Sequence, residues 1–584
     1  MTATLAEPET TVRVPVRYRW APPLLAVAAV ACWTAFVRPV DPGTLGSYGL
    51  VTALHPGVLV GIALLSLAFC AELRSPRPRT VVLLGMCVLA VLCLYGLQPL
   101  VEPAARLPVA WLHAGWSGQI AQHGQILHDF DARFSWPAFF AAVAWFGTES
   151  GTADATGLLA WAPPVCTGVA AIGVHAVATA VLGRGRAPWL ATWIFLVVDW
   201  VEQDYFSPQA VSYLLYVAAL ALVFRWLCRP GLATPVGRAR IPVPDRGSRR
   251  RLGASFGLVL LICALSPTHQ VTPFALALLL VLLAFAGRLS SPWLAVLAVL
   301  IPLTWLVLGA SEYWLGHLDV LFGGIGDVSG SVRQNVGQRF TGDLGRSTVL
   351  GVRVALTGLV LLAAAGSWWR MRGPDGRRPV LLGILAVAPF VLLALQSYGG
   401  EMLLRSLLYA LPLLCTVAGS GAARLLARTG RPGAALAGVL ALALAGASLG
   451  LVTARGGNDA YVAFRSADVR AVRTAYRLAR PGQRIAALTA YVPLNWQRVG
   501  RVGQVSLERQ CVPGPREAAC VRRIAPDFLI LNRAQDNYGV IVLGLPRNWT
   551  RTVAARLRAS GEYRIRLHQG DTVLLAHVST GGGR

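Results

Sequence analysis

Residues 189–226, WLATWIFLVVDWVEQDYFSPQAVSYLLYVAALALVFRW, show the pattern that decides the fold. Two almost wholly apolar runs, Trp189–Val198 and Ala210–Trp226, flank the polar segment Asp199–Gln209. Apolar runs of this kind are predicted to cross a bilayer, so the polar segment is predicted to lie where two spans meet water. Its three carboxylates indicate a functional site, because ionisable groups at a membrane boundary are costly unless they serve a purpose.

The composition of the whole chain agrees with membrane spans. Of the 584 residues, 55% are hydrophobic, and the mean hydropathy of +0.56 exceeds what a soluble core can bury. Apolar runs near the roughly 20 residues that a bilayer requires predict about thirteen spans. The predicted spans are approximately 21–37, 50–71, 80–100, 160–182, 188–199, 209–227, 252–266, 272–287, 291–315, 347–369, 379–397, 402–422 and 432–453. The first is expected to be a retained signal anchor, because no small-residue cleavage site follows it.

The distribution of arginines predicts the orientation of these spans. With the N-terminus inside, the inner loops carry 23 arginines and the short outer loops carry six. Because arginines collect in cytoplasmic loops, the chain is predicted to be a multi-pass plasma-membrane protein with a cytoplasmic N-terminus. The predicted parts are a cytoplasmic tail (1–20), a transmembrane domain (21–453) with a large outer loop (101–155), and an extracytoplasmic domain (454–584). The net charge of +26 is then largely a topology signal, which argues against nucleic acid as a partner.

Polar residues gather on the predicted outer face, in four turns beside spans. The turns are His128–Pro137 with Asp129, Asp131 and Arg133; Asp199–Gln209; Ser266–Pro273 with His269 and Gln270; and Ser397–Glu401, which Arg405 follows. Four polar turns on one face predict the rim of a cavity. The apolar stretch Trp136–Gly147 is too short to span, and it is expected to lie at the interface or to dip into the protein.

Each turn taken alone also fits an ordinary structural role. The acids of the first turn fit a solvated loop, and those of Asp199–Gln209 fit helix capping with anchoring by interfacial aromatic residues. His269 alone fits a hydrogen-bonded structural histidine, and Glu401 with Arg405 fits a local ion pair at i and i+4. Their convergence on one face favours a site over four unrelated roles.

Four motifs in this order resemble bacterial, actinobacterial-like membrane proteins classed with the GT-C glycosyltransferases. They are Trp136–Phe140 (WPAFF), Gln203–Gln209 (QDYFSPQ), His269–Phe274 (HQVTPF) and Tyr398–Arg405 (YGGEMLLR). The resemblance covers about residues 20–455. It implies a helical membrane core, a catalytic carboxylate on a large outer loop, and a sugar donor linked to a polyprenyl phosphate. The loop follows the third span rather than the first and carries Asp-Phe-Asp rather than adjacent acids, which leaves the choice between Asp129 and Asp131 open.

Site roles follow from that chemistry. An inverting transfer to a hydroxyl needs a base, for which Asp131 is the first choice and Asp129 the second. Partial desolvation beside the bilayer is expected to raise the pKa of this carboxyl. Arg405 is predicted to bind the departing phosphate, with Arg133 as a second candidate. No phosphate-cradling glycine-rich loop is present, so no nucleotide cofactor is expected.

The remaining polar residues are predicted to bind substrate. Asp204 and Glu202 are expected to hold acceptor hydroxyls or a divalent cation, and an oxygen-rich set suits Mg²⁺ or Mn²⁺. The candidate metal ligands are Asp129, Asp131 and Asp204. His269 and Gln270 are expected to contact sugar hydroxyls. Gln203, Gln209 and Glu401 complete the predicted substrate-binding set.

The tail, residues 454–584, predicts a small α/β domain. The predicted strands are Arg484–Thr489, Asp527–Asn532, Val540–Gly544, Tyr563–His568 and Thr572–Val578, and the predicted helices are Ala467–Leu478 and Trp549–Ser560. Cys511 and Cys520 stand apart from the cysteines of the spans, and an oxidising exterior favours a disulfide between them over two free thiols. The basic tail favours anionic lipid headgroups or an anionic cell-wall polymer.

The sequence therefore predicts an all-α polytopic membrane core with an extracytoplasmic α/β domain. The predicted activity is that of a membrane hexosyl- or pentosyltransferase, acting from a polyprenyl-phosphate-sugar donor on an acceptor glycan, lipid or protein. Membrane lipids are expected partners. Two alternatives remain open, a surface-polysaccharide polymerase or ligase and a lipid-linked-sugar transporter or flippase. The transporter is less favoured because the inner loops carry few carboxylates.

Overall fold

The structure, a computed structural model, describes residues 16–127, 130–152, 154–229, 248–315, 342–372, 377–394, 401–494, 496–514 and 516–578. A helical domain extends to Gly456, and a smaller domain with a five-stranded sheet follows it. The predicted fold class, a helical membrane core with a small C-terminal α/β domain, is confirmed.

Helices of the first domain begin at local sequence signals such as proline in the first turn and capping side chains. Proline occupies the first turn of several helices, where its missing N–H leaves no hydrogen bond unmade. The Ser207 hydroxyl caps one of them by accepting from the backbone N–H of Ala210 at 3.1 Å. The helices are Val16–Phe36, Pro56–Arg74, Thr80–Leu94, Leu97–Val101, Pro108–His123, Ala138–Glu149, Ala162–Leu182, Arg186–Val198, Pro208–Leu222, Ser248–Leu265, Thr272–Phe285, Trp293–Thr304, Ser311–Leu315, Leu344–Arg370, Val380–Val387, Met402–Leu426 and Gly430–Gly456.

Each of the thirteen predicted spans coincides with a helix. Among the described residues, six helices are long and apolar enough to cross a membrane, and six shorter apolar helices accompany them. The six long helices are Pro56–Arg74, Ala162–Leu182, Pro208–Leu227, Leu344–Arg370, Met402–Leu426 and Gly430–Val462. The protein is thus membrane-embedded, while the number of helices that cross stays a prediction.

The helix Met402–Leu426 is the centre of the helical domain, and nearly all of its residues are buried. Small residues let its neighbours approach closely. A Cβ atom on Gly419 would lie 2.7 Å from the backbone nitrogen of Ala191, and one on Gly421 would overlap the Ser367 hydroxyl. The helices Arg186–Val198 and Leu344–Arg370 are therefore packed directly against it.

The C-terminal domain is built on a mixed sheet. The strands are β1 (Arg484–Ala487), β2 (Gly503–Ser506), β3 (Phe528–Leu531), β4 (Tyr563–Gln569) and β5 (Thr572–His577), in the spatial order β2-β1-β3-β5-β4. The first three are parallel, and β5 runs antiparallel to both β3 and β4. The helices are Asp459–Val462, Ser466–Leu478, Glu517–Ile524, Arg533–Leu543 and Trp549–Ala559. A disulfide joins Cys511 to Cys520.

One predicted strand of this domain is wrong. Val540–Gly544 forms the end of the helix Arg533–Leu543, because the Asn532 side chain caps that helix and Gly544 ends it in a left-handed conformation. A run of four apolar residues cannot by itself distinguish a strand from a buried helical turn. The strand β2 and the helix Glu517–Ile524 were not predicted.

The two domains share an apolar cluster. Trp111 and Phe140 of the helical domain lie in the same buried cluster as Tyr476 and Trp496 of the C-terminal domain. The rings of Trp111 and Trp496 pack edge to face with 5.3 Å between their centroids. The C-terminal domain therefore covers the end of the helical domain that carries the polar turns.

Candidate active site

A cavity of about 320 Å³ lies at the end of the helical domain that the C-terminal domain covers. All four polar turns contribute to its wall. The lining residues are Val109, His113, Arg133, Trp136, Tyr205, Ser207, Pro208, Gln209, Thr268, His269, Gln270, Glu401 and Arg405. The predicted residues that the structure brings together here are thus Arg133, Gln209, His269, Gln270, Glu401 and Arg405.

Arg405 is the buried cation of this cavity, with 7% of its surface exposed. It lies in the first turn of the central helix, directly after the turn that contains Glu401. Its Nη1 donates to Oε1 of Gln209 at 3.0 Å and approaches Nε2 of His269 at 2.7 Å, and its Nη2 donates to Oε2 of Glu401 at 2.9 Å. Three partners from three different turns therefore fix the guanidinium in one orientation.

His269 is a neutral partner of Arg405. Burial, together with the Arg405 charge, lowers the pKa of His269 well below its ordinary value. Nε2 of the imidazole faces Arg405, and Nδ1 accepts from the backbone N–H groups of Val271 at 3.2 Å and Thr272 at 3.3 Å and lies 3.0 Å from Oγ1 of Thr272. The histidine thereby links the cavity cation to the start of the helix Thr272–Phe285.

Tyr409 completes this polar network and was not predicted from the sequence. Its hydroxyl lies 2.8 Å from Oγ1 of Thr272 and accepts from Nε2 of Gln209 at 3.2 Å. Tyr409 follows Arg405 by four residues on one helix face, and this spacing was the signal that could have found it. Arg405, His269, Thr272, Tyr409 and Gln209 form a ring of hydrogen bonds behind the cavity wall.

Asp131 and Arg133 form an ion pair in which Arg133 lines the cavity and Asp131 does not. Nε and Nη2 of Arg133 each donate to a different oxygen of Asp131 at 2.8 Å. The same carboxylate accepts from the backbone N–H of Arg133 at 2.9 Å and so caps the short 3₁₀ turn Ala132–Ser135. The Arg133 guanidinium also lies over the ring of Trp116, 4.5 Å from its centroid.

The expectation that the pKa of Asp131 is raised is wrong for this arrangement. Burial raises it, but hydrogen bonds and the charge of Arg133 outweigh burial, and the net pKa lies below the ordinary aspartate value. The carboxylate is therefore ionised at neutral pH. The alternative base, Asp129, lies outside the described residues, as does His128.

Glu202 and Asp204 do not line the main cavity. Glu202 accepts from Arg106 at 2.5 Å and lies 3.4 Å from Nη2 of Arg353, and Asp204 pairs with Arg455 at 3.1 Å. Glu202 has a φ of 57°, a left-handed conformation that residues other than glycine seldom adopt. These ion pairs thus hold the turn against its local preference, and Gln203 lies partly buried between the two acids.

The arginines that bind these acids also reach the start of the C-terminal domain. Arg106 pairs with Asp459 at 2.5 Å, and Nη2 of Arg353 donates to the carbonyl of Ala454 at 2.6 Å. We name the set Glu202, Asp204, Arg106, Arg353, Arg455 and Asp459 the interdomain network. Glu202 and Asp204 were predicted to bind substrate. Their arginine partners lie 96 to 251 residues away, and no local sequence pattern pairs residues so far apart.

Arg353 did carry a sequence signal. It lies within a predicted span, where an arginine is costly unless an anion or carbonyl pairs with it. Arg106 and Arg455 lie at the boundaries of predicted elements and gave no comparable signal.

Two of the three candidate metal ligands, Asp131 and Asp204, are engaged by other partners, and the third, Asp129, lies outside the described residues. Both oxygens of Asp131 bind Arg133, and Asp204 binds Arg455 and the Thr167 hydroxyl at 2.8 Å. Among the residues that the structure describes, no group of three or more His, Cys, Asp or Glu side chains is arranged to hold a metal ion. Ligands that are already paired with arginines have few lone pairs to offer Mg²⁺ or Mn²⁺.

His113 and Tyr205 form the wall between the cavity and the interdomain network. Nδ1 of His113 lies 3.0 Å from the carbonyl of Phe206, and its ring stacks on Tyr205 with 5.9 Å between centroids. Burial lowers the pKa of His113 to about 4, so the ring is neutral. Tyr205 also lines a second, much smaller cavity beside Glu202 and Asp204.

Comparison with known proteins gives likeness in structure alone. No protein-family model and no curated protein matches the sequence. Among solved structures, ArnT from Cupriavidus metallidurans in the apo state matches with a TM-score of 0.49 and 12% identity, covering 86% of this chain and 99% of that one. The oligosaccharyltransferase of Archaeoglobus fulgidus matches with a TM-score of 0.47 and 12% identity, covering 85% of this chain and 74% of that one.

A third structure, the arabinofuranosyltransferase AftD from Mycobacteria, matches with a TM-score of 0.44 and 14% identity. The match covers 85% of this chain but only 41% of AftD. Two of the three proteins are sugar transferases by name. Likenesses of this strength assign no residue and no substrate, so the activity has to follow from the cavity itself.

Proposed function

We propose that the protein is a membrane glycosyltransferase that moves a sugar from a polyprenyl-phosphate donor to an acceptor glycan, lipid or protein on the outer face of the membrane. The observation that carries the proposal is the cavity of about 320 Å³ whose wall combines Arg133 and Arg405 with amide, hydroxyl and aromatic groups. Arginines suit a phosphate, and convergent hydrogen-bonding groups in a cleft suit sugar hydroxyls.

The orientation of the chain supports an outer-face site. Arginines are concentrated in the loops at the end opposite the cavity, which predicts that this opposite end is cytoplasmic. The cavity and the C-terminal domain then lie outside, where a lipid-linked donor presents its sugar.

Arg405 is proposed to stabilise the departing lipid phosphate. Negative charge develops on the phosphate oxygen as its bond to the anomeric carbon breaks, and a cation that is already oriented stabilises that charge without reorganising. Gln209, His269 and Glu401 supply the orientation. Because His269 is neutral, it accepts a hydrogen bond from Arg405 and does not repel it as a second cation would.

Asp131 is proposed as the base, with Asp129 as the alternative. Arg133 holds Asp131 ionised in the resting protein and lines the cavity where the donor phosphate would bind. When the Arg133 side chain turns to that phosphate, Asp131 loses the guanidinium that lowers its pKa and keeps the backbone hydrogen bond, so its pKa rises. Asp131 takes the proton of the acceptor hydroxyl, whose oxygen bonds to the anomeric carbon as the lipid phosphate leaves.

Two related functions use the same chemistry or the same fold. A polysaccharide polymerase or ligase differs only in its acceptor, so the acceptor assay separates it from a monosaccharide transferase. A lipid-linked-sugar flippase is the second candidate, because a larger cavity of about 1440 Å³ lies at the opposite end of the helices beside Arg184, Arg186 and Arg225. A flippase moves the donor intact and releases no free polyprenyl phosphate.

The test is sugar transfer by membranes that contain the full chain, with a radiolabelled polyprenyl-phosphate sugar as donor. Asp131→Asn is expected to lower transfer at least about 100-fold while expression stays unchanged, because the base contributes about that much. Asp154→Asn is the matched control, since Asp154 likewise caps a 3₁₀ turn of the same loop but forms no ion pair with a described arginine, whereas Asp131 pairs with the cavity residue Arg133. Full transfer by both Asp131→Asn and Asp129→Asn would rule out the mechanism.

A further inference from the structure

A second arginine-rimmed space lies at the opposite end of the central helix. It is a groove of about 570 Å³ between the helices Arg186–Val198, Leu344–Arg370, Met402–Leu426 and Gly430–Gly456. Arg370, Arg424 and Arg428 form its rim, and all three are exposed. Arg424 and Arg405 lie on the same helix, 19 residues apart, so the two arginine sites are separated by about 30 Å along its axis.

The rim carries positive charge that no described carboxylate balances. None of the described residues that line the groove is acidic, and none of its three arginines forms an ion pair with a described carboxylate. Nη2 of Arg424 donates to the carbonyl of Ser367 at 3.0 Å, which holds that side chain over the groove. Three like charges gathered at one place repel one another, and an anion bound among them removes that repulsion.

The floor of the groove is apolar. Val197, Leu359, Leu440 and Leu444 are among the side chains that line it. Leu362, at its edge, is 75% exposed on a helix long and apolar enough to cross a membrane. A bilayer's hydrocarbon is about 30 Å thick, so a rim about 30 Å from the cavity lies near the other membrane boundary. The groove thus joins a hydrocarbon surface to a cluster of cations at headgroup depth.

We propose that this groove binds an anionic phospholipid, with the phosphate at the three arginines and an acyl chain along the apolar floor. Both halves of the groove are needed, since the charge attracts the headgroup and the floor accepts the chain. In the orientation proposed above, the lipid comes from the cytoplasmic leaflet. The proposal stands apart from the transfer chemistry, because it involves none of the residues of the cavity.

The test is native mass spectrometry of the full-length protein in detergent, titrated with phosphatidylglycerol, phosphatidylcholine or glycerol phosphate. The wild-type protein is expected to bind one phosphatidylglycerol more tightly than phosphatidylcholine. The triple variant Arg370→Gln, Arg424→Gln, Arg428→Gln is expected to bind phosphatidylglycerol at least about tenfold more weakly, because each arginine near a headgroup contributes roughly fivefold. A control variant removes three exposed arginines of the same end outside the groove, as Arg74→Gln, Arg77→Gln, Arg249→Gln.

A second variant tests the floor and does not depend on the triple variant folding. Ala443 lines the groove and is exposed, so Ala443→Trp fills the groove and keeps all three arginines. It is expected to weaken phosphatidylglycerol binding to the same degree. Equal loss in the control variant, unchanged binding in Ala443→Trp, no preference over phosphatidylcholine, or glycerol phosphate binding as tightly as the lipid would each overturn the proposal.

Discussion

Arg405 shows how a buried arginine at a membrane boundary is kept in place. Its partners among the described residues include one carboxylate, one amide and one neutral imidazole, which fix the orientation of the guanidinium while Glu401 balances its charge. A second carboxylate in place of Gln209 or His269 would give the set a net negative charge and repel the proposed phosphate. The ring through Thr272 and Tyr409 extends the same constraint to the start of the neighbouring helix.

Arg133 gives a pH prediction at the residue scale. The pKa of Asp131 in the folded protein is lowered by Arg133 against the raising effect of burial, so the ion pair is intact above the ordinary carboxyl pKa and is lost as the pH falls through the lowered value. Arg133→Gln removes the charge and the guanidinium hydrogen bonds but keeps the backbone N–H that Asp131 accepts, so the pKa of Asp131 is expected to rise. The acid limb of kcat/KM, which reports the base in the free enzyme, is therefore expected to move to higher pH.

The measurement is the pH profile of kcat/KM for sugar transfer. Arg133→Lys is the matched control, because it keeps a positive charge beside Asp131 and is expected to hold the acid limb lower than Arg133→Gln does. An acid limb that stays in place in Arg133→Gln would contradict the assignment of Asp131 as the titrating base.

The segment Asp199–Gln209 divides its side chains between two environments. Gln209 joins the cavity, whereas Glu202 and Asp204 join the interdomain network. Asp204 and Arg455 have side chains that are 10% and 4% exposed, so neither charge has water to replace a lost partner. The network is therefore expected to hold the C-terminal domain against the helical domain. Asp204 is accordingly expected to stabilise the folded protein and not to bind substrate.

A double-mutant cycle tests this role at the element scale. Asp204→Asn or Arg455→Gln alone is expected to destabilise the protein by about 3–5 kcal/mol, because each leaves a buried charge unpaired. The double variant is expected to lose less than the sum of the two. Thermal and denaturant unfolding in detergent measure both effects.

The control is the exposed ion pair between Arg522 and Glu562 on the C-terminal domain. Arg522→Gln is expected to leave the unfolding midpoint nearly unchanged, because water replaces an exposed partner. Additive effects of Asp204→Asn and Arg455→Gln would show that the two side chains are not coupled. A loss of transfer in Asp204→Asn without loss of stability would return Asp204 to the substrate site.

At the scale of the whole molecule, the two ends of the helical domain differ in kind. One end carries the cavity, the interdomain network and the C-terminal domain, and the other carries short arginine-rich loops and two grooves rimmed by arginine. This asymmetry is what a transferase with a single reaction face requires. It also makes every functional assignment depend on which end faces outward.

Cysteine labelling tests the orientation. Ser150→Cys, at the cavity end, is expected to react with a membrane-impermeant maleimide on intact cells, and Arg77→Cys, at the other end, is expected to react only after permeabilisation. Both positions are exposed, and the background carries Cys263→Ser because Cys263 is an exposed free thiol. The reverse pattern would place the cavity inside, and labelling of both would change the number of spans between them.

The sequence by itself determined the parts that depend on local composition. Hydropathy and run length found the helices because a segment must be apolar to lie in lipid, and the tail predicted four of the five strands because the pattern of apolar residues along a strand is local. The order of the spans and the distribution of arginines placed the polar turns together on one face. Val540–Gly544 forms the end of a helix and not a strand, because the Asn532 side chain, which lies outside this predicted strand, caps that helix.

Only the tertiary structure decided which charges meet. Arg455 reaches Asp204 across 251 residues, and Arg405 reaches Gln209 across 196, so no local pattern could distinguish a substrate ligand from a structural ion-pair partner. Arg133, which lowers the pKa of Asp131, is only two residues away in the sequence. The direction of that pKa shift nevertheless depends on the rotamer that Arg133 adopts against Trp116. Electrostatics at a buried site follows from distance and burial, which folding alone supplies.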